Sequence, residues 1–311
     1  MKHKHWHNEA IDLKNKGIPV REISRRLFGK SSKESTLRLF FAKQELNKKL
    51  ERKELKMLFW DIEISVKRSW HFQQEGYLGS KQIDKDFFLL SHQWAWGEDS
   101  NEVFVDLIKP EDAKIENDFD IVLKAWHLLD QADVVVAHNG KRFDIKMINA
   151  RFIKHGLPQP SPYKVIDTYQ LARSQFGFTF KSLDYLCKFL ELPVQKLPHD
   201  GLQLLIDATL GDAEALRKIG VYGRGDIPTL QGVFKRLKGW GTGSVNLGTM
   251  KNNISETDTL RCPSCASDDV YPLNKLAHTN VNATQAYRCN GCSGISRLSG
   301  KNYNAKLIRV V

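Results

Sequence analysis

The chain has 311 residues, 41% of them hydrophobic, and a formal net charge of +11 at pH 7. This length and composition predict a globular protein of two or more domains and exclude a mostly disordered chain. No apolar run reaches the roughly 20 residues that span a bilayer, and the first residues lack the apolar core of a signal peptide, so we expect a cytoplasmic protein without a membrane partner.

The positive charge is concentrated at the two ends of the chain. Residues 1–56 hold 16 Lys or Arg against 7 Asp or Glu, and residues 251–311 hold 8 against 4. The middle is therefore slightly acidic, with a net charge of −2. Basic ends around an acidic centre indicate that the ends hold a polyanion on which the centre acts, although solvated basic tails would give the same pattern.

Residues 1–46 predict a small helical domain. Apolar residues at helical spacing predict three helices, at 8–16, 20–28 and 33–46. The pattern resembles a helix-turn-helix, in which the segment that begins near Ser32 would enter the major groove of DNA. A three-helix bundle without nucleic-acid binding has the same pattern. Residues 47–55 are charged on all sides and predict a helical linker.

The stretch 57–66 predicts a β-strand that contains two acids. Side chains alternate between the two faces of a strand, so Trp60 and Ile62 share an apolar face while Asp61 and Glu63 share the other. Two neighbouring carboxylates in an interior strand repel each other and lose hydration unless a cation compensates them. A divalent cation is the simplest compensation, and an edge strand with both acids in water is the alternative.

Further strands and helices follow in an α/β order. Apolar patterns predict strands at 87–96, 102–108, 133–137 and 163–167 and helices at 117–131 and 144–155. Residues 168–238 are expected to be largely helical. Residues 67–82 combine aromatic and cationic side chains, which suit contacts with bases and phosphates as well as they suit covering the edge of a core.

Three more polar residues occupy positions in predicted helices where they could contribute to an active site. Asp144 begins a helix after the apolar strand 133–137, at the carboxyl end of that strand, where open α/β sheets place their sites. Taken alone, Asp144 also fits an acid that stabilises the helix dipole. Tyr222 and Asp226 are four residues apart on a predicted helix and so project from one face.

These residues together resemble a nuclease family. The DnaQ-like 3′-to-5′ exonucleases have three motifs in this order and at roughly these separations, which here read Asp61-Ile-Glu63, Asn139-x-x-x-Phe143-Asp144 and Tyr222-x-x-x-Asp226. The subgroup with Tyr in the third motif, which includes proofreading domains of family B DNA polymerases, is the most similar. The resemblance implies an α/β, RNase H-like fold, a mixed sheet with flanking helices, for a nuclease domain at 56–238.

The resemblance also implies a site for two Mg²⁺ or Mn²⁺ ions. Asp61 would bridge both ions, Glu63 and Asp226 would complete the site of the nucleophilic water, and Asp144 would serve the second ion. Tyr222 would orient that water. Oxygen ligands suit these ions, and two of them supply the nucleophile activation and charge stabilisation that phosphodiester hydrolysis needs. The implied partner is nucleic acid, with DNA favoured over RNA and RNA left open, in a bacterial or phage-infected cell or at the nucleoid.

One departure from the family and two other functions bear on this interpretation. Gly223 and Gly225 each weaken a helix by roughly 1 kcal/mol relative to Ala, so we expect a loose third-motif helix. RuvC-like endonucleases of the transposon type combine similar modules but lack the Asp-x-Glu and Tyr-x-x-x-Asp pairing. A nucleic-acid-binding regulator with an inactive nuclease scaffold is the other alternative, and the presence of all the acids disfavours it.

Residues 260–311 predict a zinc ribbon. The chain has two C-x-x-C pairs whose thiolates suit one tetrahedral Zn²⁺, namely Cys262, Cys265, Cys289 and Cys292. A zinc ion with no open position is structural and fixes a module too small to bury a core of its own. The basic surface of the ribbon fits nucleic acid or a protein partner. Residues 239–259, rich in glycine and polar side chains, predict a linker.

Overall fold

A computed structural model describes residues 6–29, 33–49, 55–70, 80–194, 201–251, 260–279 and 283–298. The chain divides into two compact units, one made of residues 1–54 with 249–260 and the other of residues 55–248 with 261–311. The second unit therefore contains both the predicted nuclease domain and nearly all of the predicted ribbon.

The first unit contains three helices around a small apolar core. They are α1 (His7–Asn15), α2 (Val20–Phe28) and α3 (Glu34–Lys49). Four buried side chains form the core, namely Trp6, Ala10, Ile23 and Leu37. Gly29 ends α2 with a φ of 68°, a left-handed conformation that favours glycine. The three helices lie where the apolar pattern predicted them, while residues 30–32 of the turn and 50–54 of the predicted linker lie outside the described residues.

The centre of the second unit is a mixed sheet. Its strands are β1 (Met57–Ile64), β4 (Leu89–Trp96), β5 (Phe104–Leu107), β6 (Val134–Ala137) and β7 (Lys164–Asp167), and β2 (Arg68–Ser69) pairs with β3 (Ile83–Lys85) in a separate ribbon. The order in the five-stranded sheet is β5-β4-β1-β6-β7. β1 is antiparallel to β4 and parallel to β6, so it is an interior strand. This arrangement fits the RNase H-like fold. Residues 71–79 of the predicted aromatic and cationic loop lie outside the described residues.

Helices cover both faces of this sheet. They are α4 (Pro110–Lys114), α5 (Phe119–Gln131), α6 (Asp144–Lys154), α7 (Thr168–Gln175), α8 (Leu183–Phe189), α9 (Gly201–Thr209) and α10 (Ala213–Leu237). On one face, Leu58 and Trp60 of β1 join a buried cluster with residues of α5 and α6. On the other face, the rings of Phe59 and Phe234 of α10 lie 5.5 Å apart between centroids. Because side chains alternate along β1, α10 covers the face that carries Asp61 and Glu63.

The C-terminal part of the second unit is a small antiparallel sheet in the order β8-β9-β10. Its strands are β8 (Val270–His278), β9 (Ala283–Cys289) and β10 (Ile295–Arg297). Residues 280–282 and 299–311 of the predicted ribbon lie outside the described residues. Within the part of the chain that the structure describes, no helix is both long enough and apolar enough to cross a membrane.

The segment after α10 differs from the polar linker that the sequence indicated. It contains a 3₁₀ turn (Lys238–Trp240) and the short helix α11 (Leu247–Lys251), and three of its side chains are buried, namely Thr242, Val245 and Leu247. Gly241 and Gly243 have positive φ angles of 127° and 69°, so they form turns in a packed segment. The Leu247 N–H donates to the carbonyl of Pro263 at 2.8 Å, which attaches the segment to the cysteine-bearing module. Residues 252–259 lie outside the described residues.

Candidate active site

Acids from β1 and α10 meet on one face of the sheet. Asp61 and Glu63 lie on the face of β1 that α10 covers, and Asp226 projects from α10 toward them. One carboxylate oxygen of each of these acids lies within 4.8 Å of the others. Asp226 is buried, whereas Asp61 and Glu63 are half-buried. Carboxylates held this close repel one another, and their oxygen atoms suit a hard divalent cation such as Mg²⁺ or Mn²⁺.

Asp144 lies beside this group and is buried. It begins α6, and its Oδ1 accepts a hydrogen bond of 3.2 Å from the backbone N–H of Ile62, between the two acids of β1. That N–H lies beyond the part of β1 that pairs with β6, so the carboxylate takes the place of a strand partner. Burial raises the pKa of the Asp144 carboxyl well above its ordinary value, and the negative charge of Asp61 raises it further. A bound cation would favour the ionised form instead.

A tight turn places Asp144 at the carboxyl end of β6. Asn139 has a φ of 65°, and a Cβ at Gly140 would lie 2.4 Å from the Cβ of Ala137, so only glycine fits there. Asp167 at the end of β7 accepts hydrogen bonds from the N–H groups of Asn139 and Lys141 at 3.0 and 3.1 Å. The side chain of Asp167 therefore holds the turn, which is a structural role.

Glycines allow α10 to lie close to the sheet. A Cβ at Gly223 would lie 2.5 Å from the side-chain amide of Gln93, and one at Gly220 would lie 2.9 Å from Leu107. We expected Gly223 and Gly225 to loosen this helix, but α10 is continuous over 25 residues. For Gly223, close packing against β4 offsets the roughly 1 kcal/mol that glycine costs relative to Ala.

Tyr222 is half-buried and lies one turn before Asp226 on α10. Because the helix is continuous between them, the two side chains project from the same side of it. The structure thus brings Asp61, Glu63 and Asp226 together, places Asp144 against β1, and leaves the contact of Tyr222 with a water as a prediction.

Gln93 is a residue of this site that the sequence reasoning missed. It is fully buried on β4, directly opposite Asp61, and its amide nitrogen donates to Asp61 Oδ2 at 2.5 Å. The amide oxygen accepts a bond of 3.3 Å from the hydroxyl of Ser91. A carboxylate only accepts hydrogen bonds, so this contact holds one oxygen of Asp61 in place. The signal in the sequence was a run of three polar residues, Ser91, His92 and Gln93, inside an otherwise apolar strand.

Comparison with known proteins finds similarity to an exonuclease family over part of the chain. A family model described as an exonuclease, RNase_T, matches residues 103–203. The DNA polymerase III PolC-type of Ureaplasma parvum serovar 3 (strain ATCC 700970) is 28% identical over 156 residues, which are 48% of this chain and 10% of that protein. The chain therefore spans about a tenth of the length of this curated relative.

These sequence matches support an exonuclease of the RNase H-like superfamily. The matched residues include Asp144 but neither β1 nor α10, so the match does not cover Asp61, Glu63 or Asp226. Among solved structures, the family B DNA polymerase from the hyperthermophilic archaeon Pyrobaculum calidifontis is 14% identical, covering 60% of this chain and 25% of that chain with a TM-score of 0.44.

A second cluster consists of the four cysteines of the C-terminal module. The four sulfur atoms all lie within 4.8 Å of one another, and they belong to Cys262, Cys265, Cys289 and Cys292. The Sγ atoms of Cys262 and Cys292 are 3.6 Å apart, as are those of Cys265 and Cys289. Tetrahedral zinc with Zn–S bonds of about 2.3 Å would separate its sulfurs by about 3.8 Å, so the four thiols fit this ion. The pKa of the Cys262 thiol is lowered to about 5, chiefly by the hydrogen bond from Cys265.

The two C-x-x-C pairs form the same turn twice. In each, the residue after the second cysteine has a positive φ, 61° for Ala266 and 59° for Ser293. The N–H of each of these residues donates to the carbonyl of the first cysteine of its pair at 2.9 Å. The local backbone therefore sets the position of each cysteine pair.

Proposed function

We propose that this chain is a 3′-to-5′ exonuclease that hydrolyses phosphodiester bonds of DNA with two divalent ions, Mg²⁺ or Mn²⁺. The observation that carries the proposal is the convergence of Asp61, Glu63 and Asp226, whose carboxylate oxygens lie within 4.8 Å of one another, with buried Asp144 beside them. The exonuclease family match supports hydrolytic nuclease chemistry. The direction of degradation and the number of ions belong to the proposal.

We propose a role for each acid from its position. Asp61 and Glu63 both belong to the three-acid group and both raise the pKa of Asp144, but the effect of Asp61 is the larger, so Asp61 is the acid proposed to contact both ions. Glu63 and Asp226 would hold one ion with it, and Asp144 the other. When bound, such ions activate water and stabilise the charge on the phosphate and the leaving oxygen. Tyr222, one turn from Asp226, would donate a hydrogen bond that orients the attacking water.

The flanking modules are proposed to hold the substrate. The basic N-terminal unit would bind the phosphate backbone, because residues 1–56 carry 16 Lys or Arg against 7 Asp or Glu. One structural Zn²⁺ on the four cysteines would fix the ribbon. DNA is favoured because the curated relative is a DNA polymerase. A protein partner at the ribbon is the alternative to nucleic acid there.

The proposal is tested by Asp61→Asn and Asp226→Asn, with Glu214→Gln as the matched control. Glu214 is an exposed acid on the same helix as Asp226 and pairs with Arg217. Each Asp variant should lower Mg²⁺-dependent hydrolysis of a 3′-labelled oligonucleotide by about 100-fold or more, since charge stabilisation of the transition state is lost. The control should keep its rate.

The choice of substrates separates the proposal from its rivals. The wild type should release the 3′-terminal nucleotide first from 3′-labelled and 5′-labelled strands and should leave a covalently closed circle intact. Cutting of the circle would assign an endonuclease instead. Binding without any hydrolysis in the wild type would assign a regulator, and undiminished hydrolysis by Asp61→Asn would place the active site elsewhere.

A further inference from the structure

A row of aromatic side chains lies on the surface of the second unit. Phe176, Phe178 and Phe180 alternate along the segment between α7 and α8, α8 adds Tyr185 and Phe189, and the 3₁₀ turn after α10 adds Trp240. Neighbouring rings are in contact, with centroids 5.0 to 5.9 Å apart, in the order Trp240, Phe176, Phe178, Phe189, Tyr185 and Phe180. We call these six residues the aromatic row.

Much of the aromatic row is open to solvent. Trp240 is 66% exposed, Phe180 63% and Phe189 57%. Phe178 is buried and contacts the rings of Phe176 and Phe189. Single exposed apolar side chains are common on protein surfaces, but linked large ones form the kind of patch that marks a binding site. Rings that served only to fill the core would be covered.

The aromatic row is attached to the loop that carries Asp144. The Nε2 of His138 donates to the carbonyl of Lys181, next to Phe180, at 2.8 Å. His138 directly precedes the turn that begins at Asn139 and ends at Asp144. One end of the row is therefore joined by a hydrogen bond to the segment that leads from β6 to Asp144. The other end, Trp240, lies next to the cysteine-bearing module, because a Cβ added at the preceding residue, Gly239, would meet the carbonyl of Cys292.

Cations slightly outnumber acids along the row. Arg173, Lys181 and Lys188 lie within or next to the segment that carries five of the six rings, against Asp184 and Glu191. Lys188 pairs with Asp184 at 2.8 Å across an exposed helix turn, where water screens such a pair strongly. Aromatic faces with cations beside them fit planar bases joined by phosphates. A duplex hides the faces of its bases in its own stack, so a single strand fits the row better.

We propose that the aromatic row binds an unpaired nucleic-acid strand by stacking on its bases and directs that strand toward the four acids of the candidate active site. These four acids, called the acid cluster below, are Asp61, Glu63, Asp144 and Asp226. This inference rests on the proposed nuclease function and adds to it a binding surface for the substrate strand outside the acid cluster.

The test measures binding apart from hydrolysis. Phe180→Leu and Trp240→Leu keep an apolar side chain at an exposed position but remove the ring. Their matched controls are Leu202→Ala and Leu210→Ala, at positions 65% and 61% exposed. Affinity for a fluorescent oligothymidine is read by anisotropy, with Ca²⁺ in place of Mg²⁺. Each ring variant should bind about fivefold or more weakly, since stacking contributes about 1–3 kcal/mol per base.

Two further arms decide between explanations. An oligonucleotide with abasic sites should bind the wild type as weakly as oligothymidine binds the ring variants. The affinity of the ring variants for a blunt duplex should equal that of the wild type. Equal loss for duplex and single strand, or the same loss in the Leu202 control, would overturn the inference. A change of sedimentation coefficient in the ring variants would instead assign the row to contact between copies of the chain. Because binding is measured without hydrolysis, failure of the proposed nuclease function leaves this result interpretable.

Discussion

The acid cluster and the cysteine cluster both bring possible metal ligands together, but they are built differently. Each cysteine pair lies in one tight turn, and the two turns have the same hydrogen bonds. The acids come from a strand, the start of α6 and the middle of α10, which are far apart in the chain. The cysteine cluster therefore follows from local sequence, whereas the acid cluster exists only when the sheet and α10 are packed.

This difference predicts opposite dependence on metal. The acids are placed by a buried core that contains Leu58, Trp60 and many helix residues, so they should stay together without an ion. The C-terminal module has few buried apolar side chains among its described residues, namely Cys262, Ala266, Ala286 and Cys289, and two of these are cysteines of the cluster. Modules of this kind gain their folding free energy from the metal itself.

Loss of zinc should have the largest effect of the changes considered. The double variant Cys262→Ser with Cys289→Ser should contain no zinc by elemental analysis and should be cut by protease within the C-terminal module, because zinc ligation contributes roughly 10–16 kcal/mol in zinc-finger peptides. Cys187→Ala, at a buried cysteine outside the cluster, should keep one zinc per chain. Mn²⁺ binding to the acids should persist in both, and its loss in the double variant would show that the ribbon holds the nuclease fold together.

The same contrast shows what the sequence could predict. The four cysteines were predicted to converge from their spacing, because two residues between cysteines fix the geometry of a turn. Asp61 and Glu63 were found from alternation in β1, since two acids on one face of an interior strand are costly. Their meeting with Asp226 was predicted from a family resemblance, because no local pattern shows which helix covers which strand.

Gln93 and the segment after α10 show where sequence reasoning stopped. The contact of Gln93 with Asp61 depends on the register between β1 and β4, and on how closely α10 approaches at Gly223. Glycine was interpreted through helix propensity and flexibility, yet Gly223 admits a neighbouring side chain and Gly241 forms a turn in a packed segment. Tertiary packing determines the roles of these residues, and helix propensity alone does not predict tertiary packing.

Gln93→Leu should have the next largest effect, and of the two clusters it should change only the acid cluster. Without the amide donor one oxygen of Asp61 is no longer held, so Mn²⁺ affinity should fall by about 10-fold, in the range seen when partners of metal ligands are removed. The matched control is Gln231→Leu, a buried amide on α10 that donates to the carbonyl of Gly97 at 2.9 Å. Both variants lose a buried hydrogen bond and should lose similar stability in urea, but the control should bind Mn²⁺ as the wild type does. Equal Mn²⁺ affinity in the two variants would leave Gln93 with a structural role only.

Gly239→Ala should have the smallest effect and tests whether the two clusters are independent. A Cβ at Gly239 would lie 2.2 Å from the carbonyl oxygen of Cys292, so the cysteine turn must move away from the end of α10. We expect zinc release to a mercurial to be a few times faster and the free energy of unfolding to fall by about 1 kcal/mol, the lower end for overpacking, since the turn lies at the surface. Gly177→Ala, where an added Cβ meets nothing within 4 Å, is the control. Mn²⁺ affinity should be unchanged in both, because the acids are placed by the sheet and by the middle of α10. A parallel loss of Mn²⁺ affinity in Gly239→Ala would instead show that strain at the ribbon travels along α10 to Asp226.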